Sequence, residues 1–205
     1  MAIPQIPIPT TPRLFDKLFI KFNTNLVDTN RPKHLPWLAH AFSESQRLIK
    51  KVGDKEIIYP AVFAGKNIEG EYADVLPNEF LGRDKAIKGF SFFDCVRDIT
   101  YENGVTRRIS GFVNGNVGLV FWFNAKKVLD DNSEFRNLDK IIYDILQAIK
   151  DSTRGFQGEI VVEGWTKKPE EIYPGYSVRE TDQQFLMHPY AGVRFECRVR
   201  FPEDC

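Results

Sequence analysis

Residues 192–201 read GVRFECRVRF, and the fold turns on how this stretch is read. Val193, Phe195, Cys197, Val199 and Phe201 alternate without interruption against Arg194, Glu196, Arg198 and Arg200. A period of two is the signature of a β-strand with one buried face and one wet face. The wet face would carry three arginines against one glutamate, a local positive surface in a chain whose 28 basic and 28 acidic side chains otherwise cancel. Upstream, EIVVEGW (Glu159–Trp165) reads as a second strand, and the apolar run VGLVFWF (Val117–Phe123) as a central strand covered on both faces. GFSFFDCVRDITY (Gly89–Tyr101) reads as a further strand, followed by Asn103-Gly104, a strong hairpin signal. The returning strand is expected from near Thr106, with a break at Asn114-Gly115-Asn116.

Helical periodicity is clearest between Glu134 and Asp151. Phe135, Leu138, Ile141, Ile142, Ile145, Leu146 and Ile149 recur at spacings of three and four, with charged and polar residues between them. That is one long amphipathic helix covering a sheet. A short helix is expected over Arg13–Phe22 and a longer one from Pro36 to about Val52, closed by Gly53-Asp54. EIIYPAVFAG (Glu56–Gly65) reads as a strand, and Pro60 in its middle pushes it to a sheet edge or a bulge. Residues 65–89 and 166–183 read as long loops. The order of elements predicts an α+β fold: an antiparallel or mixed sheet with the long helix and the N-terminal helices packed against it, in a single domain over 13–205. Before it, residues 1–12 (MAIPQIPIPTTP) form an extended arm, because proline at 4, 7, 9 and 12 forbids helix. A solvated linker would carry serine, glycine or charge where this arm has Ile3, Ile6 and Ile8. Such an arm docks on its own domain or on a neighbouring subunit, the plain alternative being a frayed terminus.

Composition excludes some classes of function. Net charge is zero, so general electrostatic attraction to nucleic acid or anionic membrane is not expected. No run approaches the roughly 18 apolar residues of a membrane span, and no secretory leader pattern is present. Cys95, Cys197 and Cys205 fall at unrelated spacings and fit buried small hydrophobes in a reducing compartment better than a metal or redox site.

Nucleophilic catalysis needs a base beside the nucleophile, and the histidines are His34, His40 and His188. Only His188 is a candidate to approach Cys197 or Asp94, and a satisfied turn histidine is the simpler reading. The carboxylate pairs Asp130-Asp131, Glu170-Glu171 and Glu203-Asp204 fit solvated loops. The glycines of NGNVG (Asn114–Gly118) lack the GK[ST] ending of a phosphate loop. Phe90, Phe92, Phe121 and Trp122 lack the interleaved basic residues of a base-stacking platform and fit core packing. No catalytic residue, cofactor site or metal site is assigned, and the reading is of a protein without enzymatic activity.

Two passages carry a resemblance. One is YPAVFAG (Tyr59–Gly65), followed by EYADVLPNEFLG and GFSFF (Gly89–Phe93); the other is FLMHPYAGVRFECRVRF (Phe185–Phe201). Together they resemble the tail-terminator and neck-ring proteins of tailed bacteriophages, the tail-completion or head-tail connector proteins. In that family a Tyr-Pro strand precedes a loop with a Leu-Pro motif and an aromatic strand, and the last strand follows a Pro-Tyr-Ala-Gly-like turn. The resemblance implies a structural virion protein of the tail or neck, assembled in the bacterial host cytoplasm. It would form a ring-shaped homo-oligomer joining portal or connector to tail-tube components, with DNA passing its lumen and no membrane partner. The residues suited to partner contact are Ile3, Ile6 and Ile8 of the arm, Tyr59 and Pro60 of the edge strand, Leu76 and Pro77 of the loop, and Arg194, Arg198 and Arg200. The arginine face would meet an acidic partner surface or the DNA channel. The alternative function is a nucleic-acid-binding α+β module using that same face.

Overall fold

The computed structural model describes residues 6–8, 15–64, 72–77, 87–95, 99–102, 111–129, 137–155, 158–177 and 183–202. In chain order the elements are α1 (Asp16–Val27), β1 (His40–Glu44), β2 (Gln46–Val52), β3 (Lys55–Phe63), β4 (Tyr72–Asp74), β5 (Gly89–Asp94), β6 (Thr100–Glu102) and β7 (Phe112–Asn124). There follow α2 (Ala125–Val128), α3 (Leu138–Ser152), β8 (Glu159–Thr166), α4 (Pro169–Ile172) and β9 (Tyr190–Pro202). The architecture is α+β. A six-stranded sheet runs β1-β5-β7-β9-β8, with β6 beside the start of β7; a second sheet runs β2-β3-β4. The large sheet is mixed, because β1 lies parallel to β5 while its other pairs are antiparallel.

The alternating stretch behaves as its period requires. Val193, Phe195, Cys197, Val199 and Phe201 are all buried in one cluster with α1 and α3. On α1, Leu18, Phe19, Phe22 and Leu26 face that cluster, and on α3 Ile141, Ile142, Ile145 and Ile149 do. The Phe19 ring stacks flat on Phe93 of β5, with centroids 3.7 Å apart and planes 5° apart. The two helices are tied together where Asn25 Nδ2 donates to the Ser152 carbonyl at 2.8 Å, and Arg31, in the loop after α1, donates through Nη1 to the Asp151 carbonyl at 2.6 Å. Ile6 of the arm packs against this same cluster, whereas Ile8 is exposed.

On the opposite face, Phe90, Phe92, Val120 and Trp122 are covered by Val62, Val75 and the segment Ile172–Tyr176. Within the loop expected over residues 166–183, Pro169–Ile172 form α4, and Ile172, Tyr173 and Tyr176 are core residues. Residues 178–182 of that loop lie outside the described residues, as do Ile3, Phe135 and the Asn103-Gly104 turn.

Four further expectations are corrected. Residues 36–52 are not a helix; they form β1 and β2, and Gly53-Asp54 is the turn of the β2–β3 hairpin, with Gly53 at φ 62° and Val52 paired to Lys55. The strand expected over Gly89–Tyr101 is two strands, β5 and β6, which lie against different parts of β7. No break occurs at Asn114–Asn116, since β7 pairs with β9 without interruption from Phe112 to Asn124. Within the connector over 65–89, Tyr72–Asp74 form β4, which pairs with Ala61–Phe63.

That pairing makes β3 the middle strand of its sheet rather than an edge. Pro60 is tolerated there for a specific reason. The register puts Pro60 opposite Val75, and Val75 N donates to the Pro60 carbonyl at 2.9 Å. An antiparallel hydrogen-bonded pair would return a second bond, from the N–H that proline lacks. The Tyr173 hydroxyl donates to the Val75 carbonyl instead, at 3.1 Å. Tyr173→Phe is therefore expected to destabilise the chain by about 1–3 kcal/mol, the cost of a buried carbonyl left without a donor. Urea unfolding should show a lower midpoint at unchanged slope.

Candidate functional site

On the face away from the helices, Asp94 of β5, Gly118 of β7 and Glu196 of β9 stand in one row across the sheet. Arg194 leans along that row and fills the space above Gly118, where any Cβ would fall inside its guanidinium. Its Nη1 donates to Asp94 Oδ2 at 2.8 Å and its Nε to Glu196 Oε1 at 2.8 Å. The other Asp94 oxygen accepts from the Tyr176 hydroxyl at 2.8 Å. Burial pulls the Arg194 pKa down, but the neighbouring carboxylates, Asp94 first, outweigh it and raise the pKa overall. Tyr176 is held well above the ordinary tyrosine range, by burial first and then by the Asp94 charge. This is a closed charge network that fastens the Ile172–Tyr176 segment to the sheet.

Arg194 is only 3% exposed and Glu196 is half-buried, so the outward face of β9 is fully wet only beyond Cys197. There Arg198 stands 3.7 Å from Glu163, and Arg200 lies 3.1 Å from Glu102 with its guanidinium over the Phe112 ring. Each arginine thus has a carboxylate partner, and the expected positive surface is charge-balanced. The other suggested contact residues divide. Ile8 is exposed, and Ile6 and Tyr59 are half-buried, while Pro60, Leu76 and Pro77 are buried within the chain.

Catalytic geometry around His188 does not form. At the rise of a strand, Cys197 lies about 23 Å along β9 from Tyr190, and Asp94 aligns with Glu196, one residue nearer. His188 instead lines a cleft of about 510 Å³ with Trp122, Lys167 and Tyr190. Burial pushes the Cys197 thiol up to about 12, which keeps it protonated and unreactive. Among the described residues no group of three or more His, Cys, Asp and Glu is placed to hold a metal. Among them too, no helix is long and apolar enough to cross a membrane.

No family model, characterised protein or solved structure matches the chain. The surfaces that remain are the sheet edges. The free edge of β1 is closed by α1: Asn23 Nδ2 donates to the carbonyls of Ala41 at 3.2 Å and Phe42 at 3.0 Å, and Glu44 N donates to Asp16 Oδ1 at 3.4 Å. By contrast, β2 and β8 are long terminal strands whose outer edges meet no backbone partner among the described residues. Each carries one large exposed apolar side chain, Ile49 at 65% and Trp165 at 47%. Tyr143 of α3 adds a second exposed ring. The sequence reading missed Ile49 because it placed that residue on a helix stripe. For Gly118 a signal was available, since a glycine inside an apolar strand marks a close approach.

Proposed function

We propose that the chain is a structural, ring-forming subunit of the neck or tail of a tailed bacteriophage, joining portal or connector to tail components. The observation that carries this reading is the unequal treatment of the strand edges. One edge is closed by dedicated side chains, whereas two long edges on different sheets meet no backbone partner among the described residues. Open edges invite pairing with another chain. Two unlike surfaces on one subunit make a head-to-tail contact, which generates a ring when the rotation closes. The passages around Tyr59–Gly65 and Phe185–Phe201 support the same reading through their resemblance to neck and tail ring proteins. The nucleic-acid alternative loses its main support, because Arg194 is buried and Arg198 and Arg200 face carboxylates.

Light scattering on the purified chain is expected to give a mass several times that of one subunit. Removing residues 1–12 should leave a folded chain that assembles poorly, because the arm presents the exposed Ile8. An unchanged assembly profile after the deletion would count against the arm, and a monomer from the full chain at every concentration would count against the ring.

A further inference from the structure

The two open edges differ in charge. Strand β2 reads QRLIKKV, with Arg47, Lys50 and Lys51 and no acid; strand β8 reads EIVVEGWT, with Glu159 and Glu163 and no base. Arg47 is occupied within the chain, donating to the Pro174 and Gly175 carbonyls and stacking on Tyr176. Lys50, Lys51, Glu159 and Glu163 are exposed, Glu163 standing 3.7 Å from Arg198 of the neighbouring strand. The placement is equally unequal. Strand β8 is one margin of the six-stranded sheet, and β2 leaves the opposite margin, separated from β1 by Ser45 alone.

We infer that β2 of one copy pairs edge to edge with β8 of the next copy, and that this contact propagates the assembly. The inference rests on the ring reading and names its interface. Backbone groups on both edges supply the ladder, as in strand addition to an exposed sheet edge. Lysines against glutamates set the choice of partner and disfavour like-with-like pairing, since β2 against β2 would oppose lysines and β8 against β8 would oppose glutamates. Ile49 and Trp165 are the apolar side chains that such a contact covers. Because the two edges sit on different strands, a copy bound through one still offers the other, so an open assembly keeps one free edge of each kind until the ring closes.

The same features have another known use. Lysines and a bulge on an edge strand guard against chance pairing, and β8 does carry an irregularity between Val162 and Gly164. The two roles predict opposite results. Lys50→Ser with Lys51→Ser weakens assembly if the lysines make the contact and promotes association if they guard the edge.

The deciding experiment is charge reversal followed by light scattering, with circular dichroism to show that each variant is folded. Lys50→Glu/Lys51→Glu and Glu159→Lys/Glu163→Lys are each expected to lower association by roughly a hundredfold or more, through like-charge opposition across the contact. The chain carrying all four reversals is expected to assemble again. If either two-residue variant assembles as the wild type does, the β2–β8 contact is overturned while the ring reading stands. If the serine variant associates more strongly than wild type, the guard role holds and the contact is likewise overturned. If the wild type is itself monomeric, both fall together.

Discussion

Arg194→Ala is expected to cost about 3–5 kcal/mol, the loss associated with removing one partner of a buried ion pair. Asp94 is 2% exposed, and without the guanidinium its charge would stay buried with the Tyr176 hydroxyl as its donor. Against a total stability of about 5–15 kcal/mol for an ordinary domain, such a loss approaches global unfolding. The effect is specific to burial. Arg198→Ala, on the same face of the same strand, removes an exposed pair at 3.7 Å and is expected to cost at most about 1 kcal/mol. Gly118→Val should resemble Arg194→Ala, because its side chain would occupy the space that the guanidinium fills. Replacing both charges with apolar residues, as in Asp94→Leu/Arg194→Met, should recover part of the loss. Recovery would be incomplete, since the Tyr176 hydroxyl would lose its acceptor. Urea unfolding followed by fluorescence measures all four, and an Arg194→Ala variant as stable as Arg198→Ala would show that the network does not hold the fold.

Phe19→Ala is expected to cost a similar amount, about 3–5 kcal/mol, by a different mechanism. The ring is wholly buried, stacks on Phe93 at 3.7 Å and lies 5.7 Å from Phe15, so its removal opens a cavity between α1 and the sheet. Aromatic side chains on both sides limit how far that cavity can collapse. Loss of α1 would also expose the edge of β1, because Asn23 and Asp16 close it from the same helix. Phe19→Ala should therefore promote aggregation along with destabilisation, through an open strand edge. Tyr143→Ala, at an exposed ring of α3, is the matched control and should leave stability within about 0.5 kcal/mol. A Phe19→Ala chain that unfolds at the wild-type midpoint would contradict this packing.

The elements legible in the sequence are those with one face buried and a regular period. The C-terminal stretch alternates because α1 and α3 cover one side of β9, and α3 shows its period because one of its faces meets the sheet. Residues 36–52 failed for the opposite reason. In β1, Ala41, Phe42 and Ser43 are all buried, so no alternation appears. The apolar positions at Leu38, Ala41, Phe42, Leu48 and Ile49 then mimic spacings of three and four. The informative signal was Gly53-Asp54 between two short runs, a two-residue hairpin turn rather than a helix stop. Pro60 misled because an edge position is its usual explanation, and the Tyr173 hydroxyl that replaces its missing donor comes from more than a hundred residues away in sequence. The candidate site was harder still. The alternation of β9 correctly separates two faces, but it says nothing of what covers the second face, and a tyrosine-rich segment from a distant loop covers Arg194. Open edges are likewise a property of sheet order, which no local pattern contains.

The central claim is that this chain builds a ring from copies of itself. Negative-stain imaging of the purified protein at micromolar concentration tests it most directly. Closed rings of one diameter are the expected result; single compact particles at every concentration and salt condition would contradict it.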